Sequence, residues 1–195
     1  MKTDKHIGGG IYLAQSVLAG RKRNKALDVA TVVNRTIDAF KHYLNVPSNL
    51  VVRITSFKGG MLGVYRSRTS TVELSYNLPW RKAMEILAHE MVHAEQFHEK
   101  RLEVDLVKGK WYYFWNGVKS NNRGTTFAAY RNQPWEQEAY DRQEMLTDWV
   151  CQDMEECMSR NPIAKDVRSP KYKIRVERVK TRYQRQPKHK KAGYE

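Results

Sequence analysis

Apolar residues recur at helical spacing over four stretches of the chain and at strand-like spacing over several shorter ones. Val29, Val32, Val33, Ile37, Phe40 and Leu44 predict a helix over Ala26 to Leu44 that ends before Pro47. Ile11 to Gly20 reads as a shorter helix, joined to it by the basic link Arg21-Lys22-Arg23-Asn24-Lys25, and residues 1 to 10 read as a flexible leader. Leu50 to Ser56, Met61 to Arg66 and Thr71 to Ser75 are strand-like, with Lys58-Gly59-Gly60 marking a turn between the first two. Met84, Leu87, Ala88 and Met91 form the apolar stripe of a helix predicted from Trp80 to Arg101; Asn77 and Pro79 are its start signals, and no Gly or Pro interrupts it. Beyond it lie the aromatic run Trp111-Tyr112-Tyr113-Phe114-Trp115, a favoured hairpin turn at Asn116-Gly117 and a further strand candidate over Thr125 to Tyr130. Asn132-Gln133-Pro134 then opens a last long helix, Trp135 to about Arg160.

This order predicts an α+β fold: N-terminal helices, a small antiparallel sheet packed on the Trp80 helix, and a second long helix. Three regions follow: 1–47 as leader and helices, 48–164 as the main domain, 165–195 as a C-terminal arm. A hydrophobic share of 41% over 195 residues suffices for one real core. No run approaches the roughly 18 apolar residues of a membrane helix, and the N-terminus lacks a signal-peptide apolar region, so no membrane association is expected. Cys151 and Cys157 lie six apart in a helical segment with divergent side chains. Reduced thiols, and with them a cytoplasmic setting, are the expectation.

Charge changes the picture at one end only. The arm from Lys165 to Glu195 has twelve Lys/Arg against three acids, so it carries +9 of the net +14. Tyr172, Tyr183 and Tyr194 are interleaved with that charge, and Pro170 and Pro187 oppose a packed helix. A basic, partly extended arm with aromatics suits a polyanion, DNA or RNA, through phosphate contacts and stacking. Ile174, Val176 and Val179 alternate well enough for one added strand.

The candidate chemistry sits inside the Trp80 helix, in Leu87-Ala88-His89-Glu90-Met91-Val92-His93-Ala94. Residues four apart share a helix face, so His89 and His93 can direct two imidazoles at one ion with Glu90 beside them. Zinc accepts imidazole nitrogen and lowers the pKa of its water to about 7, and a neighbouring carboxylate can take the proton as that water attacks a carbonyl. A third protein ligand is needed, from His98, Glu136, Glu138 or Asp141. His98 is turned some 140° from His93, out of reach. At about 100° per residue Glu136 shares the apolar side of the last helix with Ala139, Tyr140, Leu146, Val150, Met154 and Cys157. Glu138 lies opposite, one turn from its natural ion-pair partner Arg142. A carboxylate on a buried face needs a compensating cation, which favours Glu136 and leaves Glu138 as its rival.

Two strands and a hairpin before Ala-His-Glu-Met-Val-His-Ala resemble the SprT-like minimal zincins, and Trp135-Glu136-Gln137-Glu138-Ala139 is similar to the Glu-x-x-Ala segment of ImmA/IrrE-like gluzincin peptidases. The combination with an aromatic hairpin looks most like small metallopeptidase-like proteins carried by bacteriophages, over roughly Leu50 to Arg160. The resemblance implies a zinc metallopeptidase acting on a protein or peptide substrate, in the host cytoplasm if phage-borne. His89, His93 and Glu136 would be ligands and Glu90 the general base. The chain departs from the SprT pattern in having no histidine between His98 and His189, and from the ImmA/IrrE pattern in having Tyr140 directly after Ala139. Tyr130, Tyr140 and His98 are candidate oxyanion donors. The alternative is a nucleic-acid-binding or virion-associated protein with a structural or inactive zinc site.

Overall fold

The computed structural model describes residues 4–120 and 126–159. Among these, strands β1 (Lys5–Gly8) and β2 (Ile11–Leu13), helix α1 (Gly20–Tyr43), strands β3 (Val51–Thr55), β4 (Gly63–Arg66) and β5 (Thr71–Ser75) and helix α2 (Trp80–His98) come first. Strands β6 (Leu102–Val107), β7 (Lys110–Trp115) and β8 (Val118–Lys119) and helices α3 (Phe127–Arg131) and α4 (Pro134–Ser159) follow. The fold is α+β.

Strands β1 to β5 form one sheet in the order β1-β2-β3-β5-β4. It is mixed, where an antiparallel sheet was expected: β2 pairs parallel with β3, and β3 parallel with β5, while β1 and β4 run antiparallel at the edges. The reason is connectivity. Helix α1 returns the chain from β2 to the same end of the sheet, as a parallel neighbour requires, and the β4–β5 excursion places β5 inside β4. The expected helix from Ile11 to Gly20 is instead β2 followed by a 3-10 turn at Gln15–Val17, and the basic link Arg21–Lys25 forms the opening turns of α1. The N-terminal segment expected as a loose leader supplies β1, so it is integral to the sheet.

The register sorts side chains into two faces. The rows Ile11–Val52–Val72–Tyr65 and Leu13–Ile54–Leu74–Gly63 face the core, and the row His6–Tyr12–Arg53–Glu73–Val64 between them faces the other way. Helix α1 lies against β2 and β3, α2 lies against β4 and β5, and the two helices touch. Phe40, Ile54, Leu74, Met84, Leu87 and Leu146 are fully buried between these layers. Each such side chain stabilises the fold by roughly 1.5–3 kcal/mol.

Strands β6, β7 and β8 make a separate antiparallel ribbon. Its turns use Lys108-Gly109 and Asn116-Gly117, all four at positive φ, the conformation two-residue hairpins demand. The second of these is the turn read from the sequence; β6 is an additional strand. The strand expected over Thr125 to Tyr130 is, from Phe127, the short helix α3, because Thr126 Oγ1 accepts the Ala129 N–H at 3.2 Å and caps it. Helix α4 begins at Pro134 as expected. The chain divides into units 1–157 and 158–195. The Lys165–Glu195 arm and the strand candidate within it lie outside the described residues, as does the Cys157 side chain; Cys151 is partly buried against the core. Among the described residues no helix is long and apolar enough to cross a membrane.

Candidate metal centre

Helix α2 starts after Pro79, whose carbonyl accepts the Ala83 N–H at 2.8 Å, and ends at His98, where Lys100 turns left-handed at φ 58°. It is buried all round from Leu87 to Gln96, not along one stripe. The apolar stripe meets the sheet and α1, and the histidine face is covered by the N-terminal half of α4.

That covering brings Glu136 onto the histidines. His89 Nε2 lies 3.3 Å from Glu136 Oε2, and His93 Nε2 lies 3.3 Å from Glu136 Oε1. The three side chains are buried, and one ligand atom from each lies within 4.8 Å of the others. Glu138 turns away to Arg101 at 2.6 Å and Arg142 at 3.0 Å. Arg142 also meets Glu95, so these charges form a network beside the centre. His98 is exposed at the end of α2, and Asp141 is exposed on α4; neither joins the cluster.

The far side of each imidazole is held by a glutamine. His93 Nδ1 lies 2.8 Å from Gln96 Oε1, and Gln96 Nε2 donates to the Trp135 carbonyl at 3.0 Å. A carbonyl can only accept, so the Gln96 amide must present its oxygen to His93, and Nδ1 must carry the hydrogen. His89 Nδ1 lies 3.2 Å from Gln143 Oε1 in the same sense. His93 Nε2 is therefore left as a lone pair facing the Glu136 carboxylate, and with His89 Nδ1 donating to Gln143 the second Nε2 is left in the same way. Acceptors directed at one another repel unless a cation lies between them, and Glu136 Oε2, although 3.3 Å from His89, has no hydrogen bond of acceptable geometry.

Electrostatics agree. Burial pushes the Glu136 carboxyl up, but the facing imidazoles of His89 and His93, which hold a proton toward it when no cation is bound, and the Tyr130 hydroxyl keep it at about 2. Burial pulls the His93 pKa down, and the facing Glu136 carboxylate with the charge of Glu90 outweighs it, leaving a net rise. The site thus concentrates negative potential where the two Nε2 atoms converge. The His-His-Glu group fits a metal ion, and its nitrogen–nitrogen–oxygen donor set suits a first-row divalent metal over magnesium or calcium.

Glu90 stands beside the group without joining it. Burial raises its pKa, Glu136 adds to the rise, and the histidines and the Tyr65 backbone N–H counter it. Its place against β4 depends on Gly63. A Cβ at that position would meet Ile86 Cγ2 at 2.5 Å and both Cγ and Oε1 of Glu90 at 3.1 Å, so only glycine admits this approach of strand to carboxylate. Sequence reasoning missed Gly63, Gln96 and Gln143. The glutamines carried a usable signal, one turn beyond His93 and two turns beyond Glu136, whereas the Gly63 contact joins elements distant in sequence.

A cleft of about 1100 Å³ opens onto His89, Glu90, His93 and Glu136. The β4 strand and the Gly60–Leu62 loop form one wall, and the aromatic ribbon and Trp135 another. Tyr130 and Tyr140 also line it, with the Tyr140 ring 4.7 Å from that of His89. Comparison of the chain with family models, curated proteins and solved structures finds no match.

Proposed function

We propose that this protein is a zinc-dependent peptidase of the gluzincin type, with His89, His93 and Glu136 holding the metal and Glu90 as general base. The observation that carries the reading is the convergence of two lone-pair Nε2 atoms and an orphaned buried carboxylate oxygen at the floor of a large cleft, with a second, proton-accepting carboxylate alongside. Zinc bound there supplies Lewis acidity toward a carbonyl and lowers the pKa of water. Glu90 takes the proton from the attacking water and returns it to the leaving amine; its buried, raised-pKa carboxyl suits both directions of transfer. The Tyr130 hydroxyl lines the cleft beside Glu136 and would turn its single hydrogen from that carboxylate to the developing oxyanion.

A peptide fits the cleft through its backbone. Ser75 N–H donates to the Leu62 carbonyl at 2.8 Å, so the antiparallel register sends the main-chain groups of Val64 and Arg66 toward β5 and those of Gly63 and Tyr65 toward the outer edge. An extended substrate can pair with that edge through Gly63 and the Tyr65 carbonyl, the Tyr65 N–H being engaged by Glu90. The basic arm would bring the activity to proteins at or near nucleic acid.

The test is metal analysis and proteolysis on matched variants. The wild-type chain is expected to hold one zinc, His89→Ala and His93→Ala to lose it, and Glu136→Gln to weaken it far more than Glu138→Gln. Glu90→Gln is expected to keep the metal and lose hydrolysis, because an amide is no base. Stoichiometric zinc in a His89/His93 double variant, or full activity in Glu90→Gln, sinks the reading.

A further inference from the structure

The ribbon that forms the second wall has two chemically different faces. Its register sets Leu102 against Trp115, Val104 against Tyr113 and Leu106 against Trp111, all apolar and on one face; Glu103–Phe114 and Asp105–Tyr112 alternate onto the other. Four residues of the apolar face, Leu106, Trp111, Val104 and Tyr113, are between 37% and 50% exposed. A three-stranded ribbon gains its stability from covering such a face, and contiguous exposed apolar surface marks a place where something binds.

What binds is set by what lies around it. Leu102, Val104, Trp111 and Tyr113 line the same cleft as His89, Glu90 and Glu136. Tyr113 stacks on Trp135 at 5.2 Å and 23° between planes, and Trp135 is the residue before Glu136, so the aromatic surface continues to the reaction centre. The Arg68 guanidinium sits 5.2 Å over Trp111, a contact from the segment after β4 to the ribbon. Across the cleft, β4 offers the Gly63 backbone and the Tyr65 carbonyl, the Tyr65 N–H being held by Glu90. A ligand satisfying both walls at once has an exposed, extended main chain on one side and a bulky apolar side chain on the other.

Resting on the peptidase reading above, we infer that the ribbon is the specificity element of the site: substrates are unfolded or extended polypeptide segments that present a large apolar or aromatic side chain to Trp111 and Tyr113. Substrates with small or polar side chains at that point leave the ribbon wetted and bind without that contribution. The discrimination expected from one such side chain is roughly tenfold or more.

The experiment uses the full chain loaded with zinc. Unfolded β-casein is digested and its products are sequenced by mass spectrometry; cuts are expected to fall within one or two residues of Phe, Tyr, Trp, Leu or Met. In parallel, the metal-loaded Glu90→Gln protein is titrated with two fluorescein-labelled eight-residue peptides differing only in Phe or Ser at the middle position, and the Phe peptide is expected to bind roughly tenfold tighter. Trp111→Ser and, independently, Val104→Ser should abolish the difference while retaining zinc, since both positions are exposed and neither touches the metal group. Cuts without side-chain preference, equal binding of the two peptides, or a preference that survives both substitutions overturn the inference. A chain that dimerises at micromolar concentration and becomes monomeric on Trp111→Ser also overturns it, by giving the face to a second copy. Discriminating binding with no cleavage by the wild-type chain sinks the peptidase reading instead, so the two failures are distinct.

Discussion

Gln96 has no exposed surface and both ends of its amide are engaged, the oxygen by His93 and the nitrogen by the Trp135 carbonyl. It therefore sets two things together: the tautomer of one histidine and the place where the chain delivers Glu136. Gln96→Leu is expected to weaken zinc affinity about 10- to 100-fold. Gln96→Glu, which still accepts from His93 but leaves the Trp135 carbonyl unpaired, should fall between. Competition against a chromophoric chelator reads both; equal affinity in all three proteins would reduce Gln96 to packing. Much of this centre was legible in the sequence because helix periodicity is a local rule. The 89/93 spacing fixes a shared face without further information, and the phase of α4 separates Glu136 from Glu138. Gln143 follows from the same phase once Glu136 is chosen. Gly63 was illegible for the opposite reason: its φ is ordinary, and its role is a contact between β4 and α2 that no periodicity encodes.

At the level of elements, three neighbouring strands are joined by one buried acid. Glu73 on β5 takes Arg53 of β3 at 2.9 Å and Arg66 of β4 at 2.8 Å. Burial pushes its pKa up, but the two guanidiniums outweigh that and the net shift is downward. Glu138 between Arg101 and Arg142 is lowered in the same way. A carboxyl depressed by folding contributes stability that is complete above its unfolded pKa, about 4.5, and disappears as pH falls through the folded value. Urea midpoints should therefore hold between pH 7 and 5 and drop below about pH 4, and Glu73→Gln should flatten that drop. At pH 7 the same substitution should cost about 1–2 kcal/mol, less than a fully buried pair, because both arginines are partly solvated. An unchanged acid limb in Glu73→Gln would remove the residue from the account. The element sequence itself was readable where runs were long, as in α1, α2 and α4. It failed at Ile11–Leu13 and Phe127–Arg131, short apolar stretches whose type is decided by sheet pairing in one case and a Thr126 cap in the other. Strand order was also out of reach, since parallel pairing arises from the path of α1 and not from any pattern within a strand.

Over the whole molecule, the excess charge and the candidate metal group lie in different parts of the chain. Removing residues 165–195, which hold +9 of the +14, should leave zinc content unchanged and cut affinity for DNA or RNA, while wild-type binding should weaken steeply and similarly across sequences as salt rises. A truncated chain that binds DNA as tightly as the intact one would make the arm a protein-contact or solubility element. The cleft shows an asymmetry of another kind. On the β4 side the strand is pressed against Ile86 and Glu90 with no room for even a methyl group at Gly63, so mutation there displaces Glu90 beside the metal group. On the ribbon side the side chains stand partly in solvent, where replacement costs little stability. If the cleft is a peptidase site as proposed, drift and selection can rewrite what it accepts, one ribbon position at a time, without touching the metal group; lineages descended from this chain should diverge first along Val104, Leu106, Trp111 and Tyr113.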